Sequence, residues 1–108
     1  DIEKITKKII NMRIFADSEN KMNLSVNDIK GELLIVSQFT LYADCKKGNR
    51  PSFIKSAKAI QAQKIYNEFV NYISNHYKLV KTGEFGADMD IELINNGPVT
   101  IQLDSKLL

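Results

Sequence analysis

Two runs near the carboxyl end of the chain alternate apolar and polar residues. Met89, Ile91 and Leu93 interleave with Asp90 and Glu92, and Val99, Ile101 and Leu103 interleave with Thr100, Gln102 and Asp104. A period of two marks half-buried strands. The Asn95-Asn96-Gly97-Pro98 sequence between the runs predicts a tight turn. Earlier in the chain the period changes. Ile2, Ile5, Ile9 and Met12 fall three and four apart, with Glu3, Lys4, Lys7 and Lys8 opposite, which is the stripe of an amphipathic helix. A second stripe joins Ala62, Ile65, Phe69, Tyr72 and His76, widened by Tyr66, Val70 and Ile73. It predicts a helix from near Ser52 or Ser56 to His76. Between the helices, Glu32–Val36 reads as a strand covered on both faces. Leu79–Lys81 reads as a short strand. Asp17–Lys30 reads as a loop anchored by Leu24 and Val26, and Ala43–Pro51 as a basic loop. Strands and helices share one small core, so the class is α/β or α+β.

The 108 residues fit one domain spanning 1–108. A hydrophobic content of 44% with a net charge of +2 excludes disorder as the main state. Cys45 stands alone, which excludes an internal disulfide framework and a Cys-rich zinc site. No metal and no cofactor is expected, and no glycine-rich phosphate loop is present. No apolar run reaches the roughly 18 residues of a membrane span. A lone thiol with no signal-peptide pattern gives the cytoplasm as the expected compartment. A chain of this size buries about 65% of its unfolded surface. Since the sequence opens at Asp1 inside a helical pattern, an additional strand or a partner subunit is expected to complete the core.

Conventional catalytic sets do not assemble. Any Ser-His-Asp or Cys-His arrangement would need His76, the one histidine, which sits at a helix end. Cys45 lies beside Lys46 and Lys47 but has no assigned base. Asp90 and Glu92 occupy the polar face of an alternating run, where solvation explains them. Two segments stay unusual. Ser37-Gln38-Phe39-Thr40 ends an apolar strand with polar residues. That is either a strand fraying into a loop, with Thr40 chosen for β-propensity, or a site at a strand end. In Asn96-Gly97-Pro98-Val99-Thr100, a proline directly follows a hairpin signal although it cannot donate to a ladder. Gly97-Pro98 is either a plain trans turn or a cis bond, which costs an X-Pro link only about 0.5–1 kcal/mol. Lys46, Lys47 and Arg50 are either a solvated loop or a phosphate-binding cluster.

Four motifs occur in order: Ser37-Gln38-Phe39-Thr40-Leu41, Lys47-Gly48-Asn49-Arg50-Pro51-Ser52-Phe53, Gly83-Glu84-Phe85-Gly86-Ala87-Asp88-Met89 and Asn95-Asn96-Gly97-Pro98-Val99-Thr100. Together they resemble the D-aminoacyl-tRNA deacylase family over nearly the whole chain. The resemblance implies a twisted, antiparallel-rich, barrel-like sheet packed with two main helices. The family's opening strand and hairpin are missing from this sequence. An acidic residue is usual where Asn96 stands, and a proline is common where Ala59 stands.

The resemblance further implies a homodimer without a membrane anchor, acting on aminoacyl-tRNA. It would hydrolyse the ester between a D-amino acid and the 3′ terminal adenosine, and glycyl-tRNA as well, as a proofreading enzyme. Gly97 and Pro98, in a cis bond, would form the chirality filter in the partner's pocket. Ser37, Gln38, Phe39 and Thr40 would line the reaction centre. Phe85, Gly86 and Met89 would hold adenine, with Ala62 closing the pocket. Asn96 and Thr100 would contact substrate. By their charge rather than by the resemblance, Lys46, Lys47 and Arg50 are candidates for contacts to the tRNA phosphates. A non-catalytic RNA-binding relative or inactive fragment, and a small-molecule esterase using Thr40 or Ser37, are the competing readings.

Overall fold

The computed structural model describes residues 1–108. Its elements are α1 (Ile2–Asn11), β1 (Phe15–Ala16), β2 (Met22–Leu24), β3 (Leu33–Ile35), a 3-10 turn (Phe39–Tyr42), α2 (Ala59–His76), β4 (Val80–Thr82) and a last 3-10 turn (Ser105–Leu107). Helix α1 forms where the stripe predicts it. Thr6 is buried at its centre, and the helix packs on α2 and on the last 3-10 turn. Its exposed side carries the Glu3–Lys7 pair at 3.1 Å, in the favourable acid-before-base order. The helix ends at Met12, whose extended backbone leaves the helical range while its N–H still donates to the Lys8 carbonyl.

Helix α2 begins at Ala59, later than expected. Ser52 is held in an antiparallel bridge to Asp44, and Lys58 is extended, so no helix can run through this stretch. The buried face is also rotated from the expected stripe. Ile73 is fully buried and Tyr77, just past the helix, is nearly so, whereas Ile65 is 47% exposed and His76 lies in solvent. Ala62, Phe69 and Tyr72 of the expected stripe stay half-buried beside Tyr66 and Val70, so the inner face is the stripe with its widening residues, shifted toward Ile73 and away from Ile65 and His76. His76 stacks on Tyr72 with ring centres 4.2 Å apart, the helix-end role its position allows.

Two two-stranded sheets form. β1 and β2 pair antiparallel, with an irregularity between Phe15 and Ala16. β3 and β4 pair parallel, Leu33 with Val80 and Ile35 with Thr82. The hairpin lies partly inside the expected Asp17–Lys30 loop. The Asp17 carboxylate accepts the N–H groups of Glu19 and Lys21 and the Asn23 amide, which shapes the turn. These donors, Lys21 N–H foremost, hold its pKa below the usual carboxylate range. Val26 anchors the following segment as expected, at 5% exposure, and the Tyr77 hydroxyl reaches the carbonyls of Val26 (3.2 Å) and Gly31.

Three expectations need correction. β3 is not covered on both faces, because Leu34 is 58% exposed. The runs Met89–Leu93 and Val99–Leu103 form no strands, and most of their apolar residues are exposed. Alternation specifies a pleated surface with one apolar face, but a ladder also needs an edge to bond, and neither run finds one in this chain. With only two short pairs, the antiparallel-rich, barrel-like sheet does not form; the architecture is a small α/β arrangement of two helices and two small sheets.

The molecule is open for its size. It exposes 9297 Å², against about 6,100 Å² for a compact monomer of this mass. Its radius of gyration is 15.8 Å, against about 13 Å. Ile54, Ile60, Ile94 and Leu41 are more than four-fifths exposed. No helix is long and apolar enough to cross a membrane.

Candidate active site

Parallel strands present their carboxyl ends at one edge, the usual position for ligands in α/β sheets. Here that edge receives two of the motifs. Ser37–Thr40 leaves β3, and Gly83–Met89 leaves β4, while the Gly83 N–H donates to the Ile35 carbonyl at 2.9 Å to keep the two exits side by side. Gln38 is extended, and the chain then turns sharply through Phe39–Tyr42. The opening N–H groups of such a turn have no partner within it. Those of Phe39 and Thr40 donate to no other group either. The Gln38 side-chain amide donates to the Thr40 hydroxyl oxygen. Gln38, Phe39 and Thr40 are exposed, and Ser37 is half-buried.

The second exit folds back on itself. Met89 lies over Gly83, where a Cβ would sit 3.1 Å from the Met89 sulfur and 3.5 Å from Val36. Gly83 is thus small because a side chain from the same loop occupies its space. The Glu84 N–H points at the Met89 sulfur at 3.4 Å, and the Ala87 N–H closes a turn to the Glu84 carbonyl around Phe85 and Gly86. The Phe85 ring rests against Tyr66 with centres 5.7 Å apart. Tyr66 in turn donates its hydroxyl to the Ile35 carbonyl at 3.0 Å. Burial pushes its pKa up, so it stays a neutral donor. Ala62 stands one helical turn before Tyr66 on the half-buried face of α2.

The sequence pattern alone does not single out two residues that matter here. Tyr66 reads only as part of an apolar stripe, yet it links α2, the end of β3 and Phe85. A tyrosine in such a stripe, needing a partner for its hydroxyl, is the available signal. Phe53 falls within a motif but receives no role from it. Its ring meets that of Phe39 edge-on, with centres 5.1 Å apart and planes at 72°.

The remaining predicted residues are placed separately. Lys46, Lys47 and Arg50 project from the exposed loop closed by Asp44 and Ser52. Asn96, Gly97, Pro98 and Thr100 lie on an exposed segment with no hydrogen bond to either strand exit. The Gly97-Pro98 bond is cis, and Gly97 has φ +117°. One chain therefore brings the Ser37–Thr40 and Phe85–Met89 groups to one edge, and no hydrogen bond ties the exposed Asn96–Thr100 group to them.

Known proteins resemble this chain in sequence and in backbone. A family model described as D-Tyr-tRNA(Tyr) deacylase matches residues 1–104. The D-aminoacyl-tRNA deacylase of Thermosipho africanus is 60% identical over 106 residues, which cover 98% of this chain and 71% of that protein. The D-aminoacyl-tRNA deacylase of Clostridium acetobutylicum is 52% identical over 106 residues, with the same coverage. A solved structure named c-Myc DNA Unwinding Element Binding Protein superposes with a TM-score of 0.87 at 42% identity, covering 97% of this chain and 72% of that one. A match this extensive in both sequence and backbone has one consequence for classification: the chain belongs to the D-Tyr-tRNA(Tyr) deacylase family.

Proposed function

We propose that this protein hydrolyses the ester joining a D-amino acid to the 3′ terminal adenosine of tRNA, and that it accepts glycyl-tRNA because glycine has no side chain to reject. The observation that carries this reading is the family match over residues 1–104, with relatives of 52–60% identity named as D-aminoacyl-tRNA deacylases. Residues 1–108 act as a single deacylase domain, working in the cytoplasm where charged tRNA is used.

Each group at the strand exits then has a task. Phe85, Gly86 and Met89 hold the adenine, with Ala62 at the rim. Ser37, Gln38, Phe39 and Thr40 surround the ester. Water adds to the ester carbonyl, and charge developing on the carbonyl oxygen is met by the unpartnered N–H groups of Phe39 and Thr40. The neighbouring ribose hydroxyl relays the water's proton to the departing ribose oxygen, releasing free amino acid and tRNA. Gly97 and Pro98 face the α-carbon and leave no room for an L side chain, while Asn96 and Thr100 support them. Selectivity of this kind works by rejecting the wrong enantiomer rather than by gripping the right one.

The Asn96–Thr100 segment is exposed and makes no hydrogen bond to the strand exits of its own chain, which supports a filter that acts in a second copy. The exposed apolar residues Leu41, Ile54, Ile60 and Ile94 supply surface for such a homodimer. Sedimentation equilibrium is expected to give twice the chain mass; a monomer at micromolar concentration would count against the shared site.

The decisive assay compares D-Tyr-tRNA with L-Tyr-tRNA, and turnover of the D form alone is expected. Thr40→Ala is informative in the same assay. The Thr40 oxygen accepts from an amide, and no imidazole or carboxylate is hydrogen-bonded to it to take its proton, so it is not the nucleophile. The variant should keep its rate within about tenfold, less than the loss general-base catalysis commonly supplies. Abolished turnover in a folded Thr40→Ala protein would reinstate Thr40 as the attacking group.

A further inference from the structure

Resting on the deacylase reading, we infer that the loop from Asp44 to Phe53 grips the phosphodiester backbone of the tRNA 3′ end. Phe53 is the positioning residue that ties this grip to the reaction centre. Charge is the first observation. Residues 43–58 carry five cations, Lys46, Lys47, Arg50, Lys55 and Lys58, against Asp44 alone, a local net charge of +4. The whole chain is +2, so the other 92 residues are net −2. All five cations are exposed. None takes part in the ion pairs of the fold, which join Glu3 to Lys7, Glu19 to Lys21 and Glu32 to Lys81. The Asp44 carboxylate is engaged with the Lys46 N–H at 3.0 Å. The positive field of this loop is therefore uncompensated.

Attachment is the second observation. Asp44 and Ser52 exchange two backbone hydrogen bonds, each 2.8 Å, which close the neck of the loop. The next residue, Phe53, sets its ring against Phe39 within the Ser37–Thr40 segment. The first contact closes the loop and the second fixes its base beside the candidate reaction centre. Residues 83–104, by contrast, hold Glu84, Asp88, Asp90, Glu92 and Asp104 and no Lys or Arg. Beyond the terminal adenosine at Phe85, the acidic stretch repels further phosphates while the loop tied to Phe39 attracts them, so the nucleotide strand leaves the site over the basic loop.

Salt dependence tests this directly. Binding of deacylated tRNA is measured from low to physiological salt, where each phosphate contact to a single strand contributes about −0.7 to the slope of log K against log salt. Replacing Lys46, Lys47 and Arg50 together by Gln should flatten the slope by about 2. Phe53→Ala should flatten it by about 1, as one contact loses its register. Phe53→Leu, which keeps the apolar tie, should restore it. In turnover, the triple variant should lower the ratio of kcat/KM for D-Tyr-tRNA to that for the phosphate-free D-Tyr ester of adenosine by at least about tenfold. An unchanged slope or ratio in the triple variant overturns the grip. A Phe53→Ala protein that melts earlier but keeps the wild-type slope reduces Phe53 to packing and overturns its positioning role. If the wild-type protein cleaves neither ester, the deacylase reading fails, and the tRNA-binding slope still decides the loop.

Discussion

Gly97→Ala is expected to lower turnover of D-aminoacyl-tRNA by about a hundredfold or more while leaving the melting temperature near the wild-type value. Gly97 has φ +117°, a region in which L residues are strained by about 1–3 kcal/mol. A Cβ built there would stand 3.2 Å from the Val99 nitrogen and 3.3 Å from a Val99 methyl. Both contacts are tighter than a side chain normally tolerates, and the first is with backbone, which cannot swing aside. The segment must therefore shift at the point where the proposed filter meets the substrate. A displacement of about 1 Å can cost a hundredfold when geometry carries the chemistry. Folding is spared because the segment is exposed and holds no hydrogen bond to the body of the chain. The measurement is single-turnover hydrolysis of D-Tyr-tRNA alongside a thermal melt. Wild-type rates in the folded variant would remove Gly97 from the filter.

Local interactions are the ones legible in the sequence. The stripe through Ile2, Ile5 and Ile9 marks α1, because a helix satisfies its own backbone and needs only a face to bury. The apolar run before Ser37 marks β3 by its composition, and Val80–Thr82 falls within one residue of the short strand expected at Leu79–Lys81. The rotation of α2 is hidden, since Ile65 and Ile73 have equal claims to a hydrophobic stripe and only the position of the elements α2 packs on, α1 and β4, chooses between them. The β1–β2 hairpin is hidden too. Met22-Asn23-Leu24 is short, and its turn is organised by one carboxylate, Asp17, rather than by a glycine. The alternating runs at 89–93 and 99–103 announce a pleated face, but alternation is silent about the partner edge.

The site divides along the same line. Ser37–Thr40 and Phe85–Met89 stand out as motifs, and the parallel pairing of β3 with β4 explains why they meet. Each motif directly succeeds a strand, and a parallel pair carries both successors to the same edge. Tyr66 and Phe53 do not stand out, because their significance is a contact across 31 residues in one case and a ring packed on another motif in the other. No local pattern encodes either. The cis state of the bond before Pro98, left open by the residues alone, agrees with the family resemblance.

Ile73→Ala should cost about 2–5 kcal/mol, the range for emptying a buried Ile site. Ile73 is the one large apolar side chain with no exposure at all, and only Val26 and Tyr77 join it among the buried apolar residues. Against a typical total of 5–15 kcal/mol, that loss is a large fraction for a domain with so little core. Each kcal/mol moves the midpoint of a domain this size by about 4–8 °C, so a fall of roughly 10 °C or more is expected at fixed protein concentration. The effect should reach the site. Ile73 lies on the same helix as Tyr66, which holds the end of β3 through the Ile35 carbonyl and supports Phe85. Loosening α2 therefore loosens the Phe85 loop. Ile73→Val, which removes one methylene, should cost only about 0.5–1.5 kcal/mol and keep turnover near wild type. Urea titrations of both variants give the comparison through the shift of the midpoint at constant slope. A loss below about 1 kcal/mol for Ile73→Ala, under the range for such a site, would mean that the packing of α2 on α1 and β4 is not what holds the chain together, and that stability resides in the surface of the proposed homodimer.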